Sequence, residues 1–447
     1  MEFKEFKELL FKRAKEDGFK ECEVYFSNRE SLNITVYDAE VEKYSLNKTF
    51  GLSFRGKING KMGYSYTEIM DEEAIDMLIQ NAKGGAMSIE SDDIQFIYDG
   101  DKEYKEVKSY SKALENINNQ DLIKIALDME KEAKAYSDKV INIGGCSIGY
   151  GTSEYGIYNT KGLELTNKGN LLTAYVSPIV EESGEKYDGT GYVTANSLEE
   201  VDPKKIAKQG VEEALSRIGG MSIPSGIYKA LIYNEAMVSL LGTFAGIFSG
   251  DAAQKGLSLL KDKEGEIIGS DILTIVDDPL LENGLASTPF DDEGVSTYRK
   301  EVVSKGKLIT LLHNLKTAHK AGIKTTGNGF KSSYASPVGI STTNFYIENG
   351  SKNFEELLEE VGEGLMVTEF AGLHSGANSI TGDFSLAAKG FYIEDGKKSY
   401  PVEQITVAGN YFDLLKNIQT IGNDLKFPMS SVGSPSVIIN EISVAGK

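Results

Sequence analysis

Side chains able to do metal or acid–base chemistry are few and scattered along this chain. Only three histidines occur, His313, His319 and His374. His313 and His319 stand six residues apart, so a continuous helix would turn them to different faces. His374 lies in a Gly-rich stretch beside Ser375 and could join Asp291, Asp292 or Asp383 around a metal, although no ligand spacing favours that set. The more ordinary reading makes Asp291-Asp292-Glu293-Gly294 a turn and has Ser379, Thr381 and Asp383 fix a loop with their short polar side chains. A Ser/His/Asp hydrolase is weaker still: no Gly-x-Ser-x-Gly elbow is present, and Ser375 has no partner order that can be assigned. Cys22 and Cys146 are too few for a disulfide framework and read as buried thiols of a reducing compartment.

The element best placed to carry a site is the junction from Ile227 to Asp251. Ile227, Lys229, Leu231 and Tyr233 alternate with Tyr228, Ala230 and Ile232 as a buried strand does. Asn234 follows as an expected N-cap, with Glu235 in the first turn where an acid suits the helix dipole. Met237, Leu240, Leu241, Phe244, Ile247 and Phe248 then form an apolar stripe, which reads as core.

Around this junction the elements follow an α+β order. Residues 2–17 read as an amphipathic helix presenting Phe3, Phe6, Leu10 and Ala14 and stopping at Gly18. Strands are expected over 21–28, 32–38 and 51–66, with a two-residue turn at Asn59-Gly60, and a second helix over 71–83 ending at Gly84-Gly85. Residues 90–106 carry Asp92, Asp93, Asp99, Asp101 and Glu103 and read as a solvated acidic connector. A helix over 119–136 precedes a Gly-punctuated strand region, 140–194; no helix opening with Lys-Ser/Thr follows those glycines, so a phosphate loop is rejected. Asp202 caps and Pro203 opens a helix to about Arg217. Beyond the junction, strands are expected over 266–276, 295–299, 301–312, 338–348, 365–370, 384–408 and 436–444, with short helices at 315–321, 354–361 and 411–418.

These elements divide into an N-terminal α+β domain (1–88), an acidic connector (89–110), a middle α+β domain (111–222) and a large C-terminal domain (223–447) with a big mixed, mainly antiparallel β-sheet. The formal charge is −20, from 47 basic and 67 acidic residues. That balance disfavours direct nucleic-acid binding, which depends on basic residues displacing counterions. No signal peptide and no membrane span is read, so a cytoplasmic protein without membrane contact is expected.

Several stretches carry a family resemblance: Gly284-Leu285-Ala286-Ser287-Thr288-Pro289-Phe290-Asp291-Asp292-Glu293-Gly294-Val295, Thr325-Thr326-Gly327-Asn328-Gly329, Gly372 to Phe391 with its SITGDFSLAAKGF core, and Val407-Ala408-Gly409-Asn410. Through them the chain resembles the TldD/PmbA family of peptidases, also called modulators of DNA gyrase. The resemblance implies a pair of subunits that encloses a cavity and cleaves unfolded peptides. One subunit, TldD-like, carries a His-Glu-x-x-x-His helix and a downstream Cys as zinc ligands; the other, TldE/PmbA-like, lacks them.

Carried over, Asn234 stands for the first His, Glu235 for the acid and Ser239 for the second His, and no Cys follows Cys146. Asn and Ser offer only weak neutral oxygens where zinc requires imidazole or thiolate, and without a bound water Glu235 has nothing to deprotonate. Five-residue spacing sets two ligands about 140° apart on an ideal helix, so an active relative needs a local distortion; here a regular helix is expected.

The expected function is therefore the non-metal subunit, itself without metal or cofactor, shaping the chamber for a TldD-like zinc-bearing partner and forming a homodimer when isolated. Extended peptide could pair with a sheet edge of the strand-rich C-terminal half, through Gly372 to Phe391. Two alternatives stand beside this reading: a homodimeric peptide-binding protein without catalysis, and a metallohydrolase with a relocated site.

Overall fold

The computed structural model describes residues 1–88, 90 and 93–447; Asp92 of the acidic connector lies outside them. The N-terminal elements are α1 (Phe3–Glu16), β1 (Glu21–Tyr37), β2 (Glu40–Ile58), β3 (Lys61–Thr67) and α2 (Glu72–Ser88). Next come α3 (Asn119–Tyr136), β4 (Val140–Asn159), β5 (Glu164–Glu182), β6 (Glu185–Asp188), β7 (Gly191–Ala195) and α4 (Pro203–Ser216).

The two expected strands of the first segment are one, β1, and the polar run after it is a strand as well. Asp38 and Ala39, both at positive φ (50° and 64°), turn β1 into β2 with Tyr37 opposite Glu40. Residues 40–49 of β2 are mostly exposed, which is why no alternation marks them as a strand. The Asn59-Gly60 turn forms as expected, with φ of 50° and 80°. Helix α2 runs through Gly84 and Gly85 to Ser88, because burial of Ala82 and Ala86 holds that turn against the sheet.

β1 also pairs with β4, Tyr25 opposite Ile157, so the N-terminal and middle segments share one seven-stranded sheet in the order β3-β2-β1-β4-β5-β6, with β7 on β5. Its helix-covered face is laid down by alternate residues of β1. Cys22, Val24 and Phe26 pack in the core that holds Phe6, Leu10, Ile75 and Leu78 of α1 and α2. Leu32, Ile34 and Val36 pack in the core that holds Leu122, Met129 and Val211 of α3 and α4. The opposite face meets the C-terminal half, where Tyr25, Ile157 and Leu163 enclose Phe290.

The C-terminal half opens with β8 (Gly226–Ile232), α5 (Asn234–Phe244) and α6 (Gly250–Gln254). It continues through β9 (Ile275–Asp277), β10 (Lys300–Ser304), β11 (Lys307–Leu308), α7 (Leu315–Ala321), β12 (Gly329–Phe330), β13 (Gly339–Ile340) and β14 (Phe345–Ile347). Then follow α8 (Phe354–Val361), β15 (Gly364–Ala371), α9 (Leu373–Gly376), β16 (Asp383–Glu394), β17 (Lys397–Asn410), α10 (Tyr411–Lys416), β18 (Ile418–Ile421), β19 (Val432–Gly433) and β20 (Val437–Ala445).

Strands β8, β15, β16, β17 and β20 close into a ring, since β17 pairs with β20 as well as β16; only the β8–β15 contact is parallel. Ala230, Ile232, Leu365, Val367 and Val437 face a core shared with Met237, Leu240 and Phe244 of α5, and the intervening Leu231, Met366 and Ile438 face Leu357 and Val361 of α8. The Phe244 ring stacks on Tyr411 at 4.4 Å. Burying one such ring stabilises by roughly 1.5–3 kcal/mol. A second sheet, β11-β10-β9-β14-β19, flanks the ring. The strands expected over 266–276 and 295–299 shrink to Ile275–Asp277 and to a single bridge between Phe290 and Ser296. Both stretches lie mainly in turns; the first also keeps a bridge from Ile267 to Lys307 of β11, with Leu308 N donating to the Glu266 carbonyl.

Candidate functional site

At the strand-to-helix junction the chain leaves the ring at Tyr233, whose carbonyl accepts from Met237 N. Tyr233, not Asn234, is the N-cap, and no side chain caps this end. Asn234 is already helical, and its side chain is turned to Asp424: Nδ2 donates to the Asp424 carbonyl at 3.1 Å and to Oδ2 at 3.2 Å. Asp424 also accepts from the Ser436 amide and hydroxyl at 2.8 and 2.7 Å. The Ser436 hydroxyl in turn accepts from Asn234 N at 3.1 Å and so does the work of the missing cap.

The next residue, Glu235, is held from two sides. Its Oε1 accepts from Tyr192 OH of β7 at 2.9 Å and from Lys426 Nζ at 2.6 Å, with the same ammonium 5.1 Å from the Tyr192 ring centroid. Burial and the Glu235 charge both raise the Tyr192 phenol, which stays protonated as the donor. The Ser239 hydroxyl donates back to the Glu235 carbonyl at 3.0 Å, the usual internal bond of a helical serine. Helix α5 keeps α-helical geometry without a π turn to Phe244, and the expected continuation becomes a 3-10 turn at Ala245–Phe248 before α6. A carboxamide tied to a carboxylate, a hydroxyl tied to its own helix and an acid already bound to an ammonium do not fit a zinc ligand set.

The second group of sequence candidates lies at the seam between the first sheet and the C-terminal half. Asp291 is fully buried; its Oδ1 accepts from Glu293 N and Val295 N and its Oδ2 from Gly329 N, closing the expected turn at Gly294. Burial and the neighbouring Glu293 raise its pKa despite those bonds. Asp292 Oδ2 accepts from Lys331 N at 2.7 Å, and burial pushes its carboxyl up to about 6. Arg55 of β2 bridges Glu23, at 2.6 Å, and Glu293, at 3.7 Å. Lys331 Nζ donates to Ser53, Tyr64 and the Ser336 carbonyl, and burial, then Arg55, push it down to about 7.

The structure does not bring the third group to this seam. His374 is exposed on α9, Ser379 is exposed in the following turn, and Thr381 Oγ1 donates to Asp383 Oδ2 at 2.8 Å. Asn410 Nδ2 closes that loop onto Asp383 Oδ1 at 2.9 Å, so Thr381 and Asp383 fix a loop as expected. His313 is buried beside Thr317, whereas His319 packs on Phe96. No cluster of three His, Cys, Asp or Glu suited to a metal occurs among the described residues.

Part of the acidic connector is a strap rather than a solvated loop: Ile97 is buried, Asp101 Oδ2 accepts from Ser296 N, and Tyr104 OH donates to the Gly294 carbonyl. Sequence reasoning missed Lys426, Asp424 and Tyr192 because nothing local marks them. Lys426 stands 191 residues from its partner Glu235.

Sequence comparison places this ring of strands, with its α5 junction and its seven-stranded partner sheet, in a metallopeptidase family. The chain belongs to the PmbA/TldD metallopeptidase family: residues 22–86 match PmbA/TldA metallopeptidase domain 1, residues 112–218 the central domain and residues 225–446 the C-terminal domain. It is 29% identical to the metalloprotease PmbA of Escherichia coli O157:H7 over 448 residues, covering 97% of this chain and 93% of that one. A solved candidate modulator of a DNA gyrase from Thermotoga maritima superposes with a TM-score of 0.92 at 34% identity, over 99% of this chain and 100% of the other. TldE from Thermococcus kodakarensis shares the fold, with a TM-score of 0.90 at 20% identity over 99% and 100% of the two chains.

Proposed function

We propose that this chain is the non-metal subunit of a TldD/TldE-type peptidase pair, shaping the chamber and substrate access while a zinc-bearing, TldD-like partner cleaves unfolded peptides. The observation that carries this reading is the occupation of the α5 junction. Where the family's metal subunit is expected to hold zinc, Asn234 is spent on Asp424, Ser239 on its own helix, and Glu235 on Lys426. The Glu235 carboxylate is already engaged by the Lys426 ammonium at 2.6 Å. The chain itself is assigned no metal or cofactor, a cytoplasmic setting, and self-pairing when isolated. In keeping with this setting both cysteines are free and buried, and burial raises each thiol to about 12. No helix among the described residues is long and apolar enough to cross a membrane.

The test is reconstitution. Purified alone, the chain should contain almost no zinc by elemental analysis and leave an unfolded peptide intact. With a metal-bearing homologue it should form a stable pair whose hydrolysis of that peptide stops on chelation. Close to one zinc per chain, with chelator-sensitive hydrolysis by the chain alone, would overturn the reading.

A further inference from the structure

We propose that the cavity between the first sheet and the C-terminal loops binds the free C-terminal carboxylate of a polar peptide, with Arg29 as its cationic partner. The cavity has a volume of about 740 Å³. That lies within the range of about 300–1,000 Å³ common for organic ligands and leaves room for several residues.

Its floor is the open face of β1, β2 and β4. Arg29 lies opposite Thr49 on one side and Ser153 on the other; Ser31, two residues on, lies opposite Asn47 and Gly151. Cross-strand neighbours in such a ladder stand about 5 Å apart, so one long cation is ringed by short polar side chains and a glycine. The roof comes from the C-terminal half, from Gly284 to Thr288, Asp292, Lys331 and Thr343, and Glu30 of β1, paired with Lys48, also lines the cavity.

Arg29 is the exception among the five arginines. Arg13, Arg55, Arg217 and Arg299 each hold at least one carboxylate within 4.0 Å. Arg29 is exposed to the cavity, and among the described residues it has no ion pair and no side-chain hydrogen bond, its charge reaching the Asp292 carboxyl only from beyond ion-pair distance, in a chain with 67 acidic residues and a net charge of −20. Among the described residues the side chains of Ser31, Asn47, Thr49 and Ser153 likewise make no hydrogen bond, the first three being exposed to the cavity. A guanidinium with an open fork, next to free hydroxyls, matches a carboxylate in charge and geometry. The Asn47 carboxamide and the Ser31 hydroxyl offer both donors and acceptors to the peptide groups behind that carboxylate. The bound chain would lie across a sheet face and be read by side chains, which differs from adding a strand to a sheet edge.

The experiment uses the full chain and an uncharged hexapeptide of Gly, Ser and Ala, labelled at its N-terminus, as the free acid and as the C-terminal amide. Fluorescence anisotropy should show the acid binding about tenfold tighter or more. Arg29→Gln should bring the acid to the affinity of the amide with little shift in thermal unfolding, since the exposed side chain makes no ion pair or hydrogen bond among the described residues. Arg29→Lys should keep part of the preference. Equal affinities in the unsubstituted chain, no binding of either peptide, or a preference that survives Arg29→Gln would each overturn the proposal. Failure of the subunit reading, such as zinc in the lone chain, would leave these affinities unchanged, so the two ideas fail separately.

Discussion

Lys426 Nζ lies 2.6 Å from Glu235 Oε1, and Tyr192 OH reaches the same oxygen at 2.9 Å from a strand of the first sheet. The acid at the start of α5 therefore joins the two halves of the chain as well as ending a charge pair. Roughly a third of each charged side chain is exposed, so water screens the pair and Lys426→Ala should cost only about 0.5–1 kcal/mol. Tyr192→Phe should cost about 1 kcal/mol through the lost hydrogen bond. In a double-mutant cycle followed by thermal unfolding the two losses should fall short of additivity, because both substitutions act on one oxygen. Strict additivity would show that Glu235 does not couple them.

Asn234 is a neutral donor facing Asp424, and the carboxamide is what allows the contact. Asn234→Asp would place a second carboxylate about 3 Å from Asp424 Oδ2 in a buried setting. The expected result is a loss of about 2 kcal/mol or more at pH 7 that shrinks on acidification, when one of the two acids takes up a proton. A loss independent of pH between about 4 and 8 would mean that repulsion is not its cause.

Arg55 is the cation that makes burial of Glu23 and Glu293 tolerable at the seam; those acids are 1% and 4% exposed. Arg55→Met leaves both charges without their partner, and a loss of about 3–5 kcal/mol is expected in urea unfolding. Arg55→Lys should recover part of it, since Lys cannot bridge both acids with one fork. A loss below about 1 kcal/mol for the Met variant would refute this assignment.

Asp292 and Lys331 give the seam a defined pH response. The Asp292 pKa in the fold, about 6, lies above its unfolded value, so its contribution is complete below about pH 4 and is lost as pH rises through 6. The Lys331 value, about 7, lies below its unfolded one, so its contribution is complete above about pH 10 and is lost as pH falls through 7. Both groups are thus ionised in the interval from 6 to 7, where together they support the fold least. Asp292→Asn mimics the protonated acid and should raise the melting temperature at pH 7.5, with the gain vanishing near pH 4. A gain that is equal at both values, or a loss at pH 7.5, would sink this account.

Elements with a strong local signature were legible without coordinates. Asn119–Tyr136 has a helical apolar stripe, Asp202-Pro203 is a cap followed by an N1 proline, and Asn59-Gly60 supplies two residues that tolerate positive φ. The outer half of β2 was not legible, because a strand exposed over most of its length shows no alternation. At α5 the sequence located the helix, but Asn234 did not cap it. Asp424, 190 residues on, takes its side chain, and the Ser436 hydroxyl, 202 residues on, accepts from its backbone amide in place of a cap.

Local pattern and residue type by themselves determined the α+β order and the scarcity of metal ligands, because each of these depends on identity or near-neighbour spacing. Only the tertiary structure decided what surrounds the candidate residues. It made one sheet of the first two segments, set Lys426 on Glu235, buried Asp291 and Asp292 against β1 and β2, and left Arg29 with no carboxylate within ion-pair distance in an open cavity. Each of these outcomes depends on chain segments tens to hundreds of residues apart meeting at hydrogen-bond distance, which no local pattern encodes.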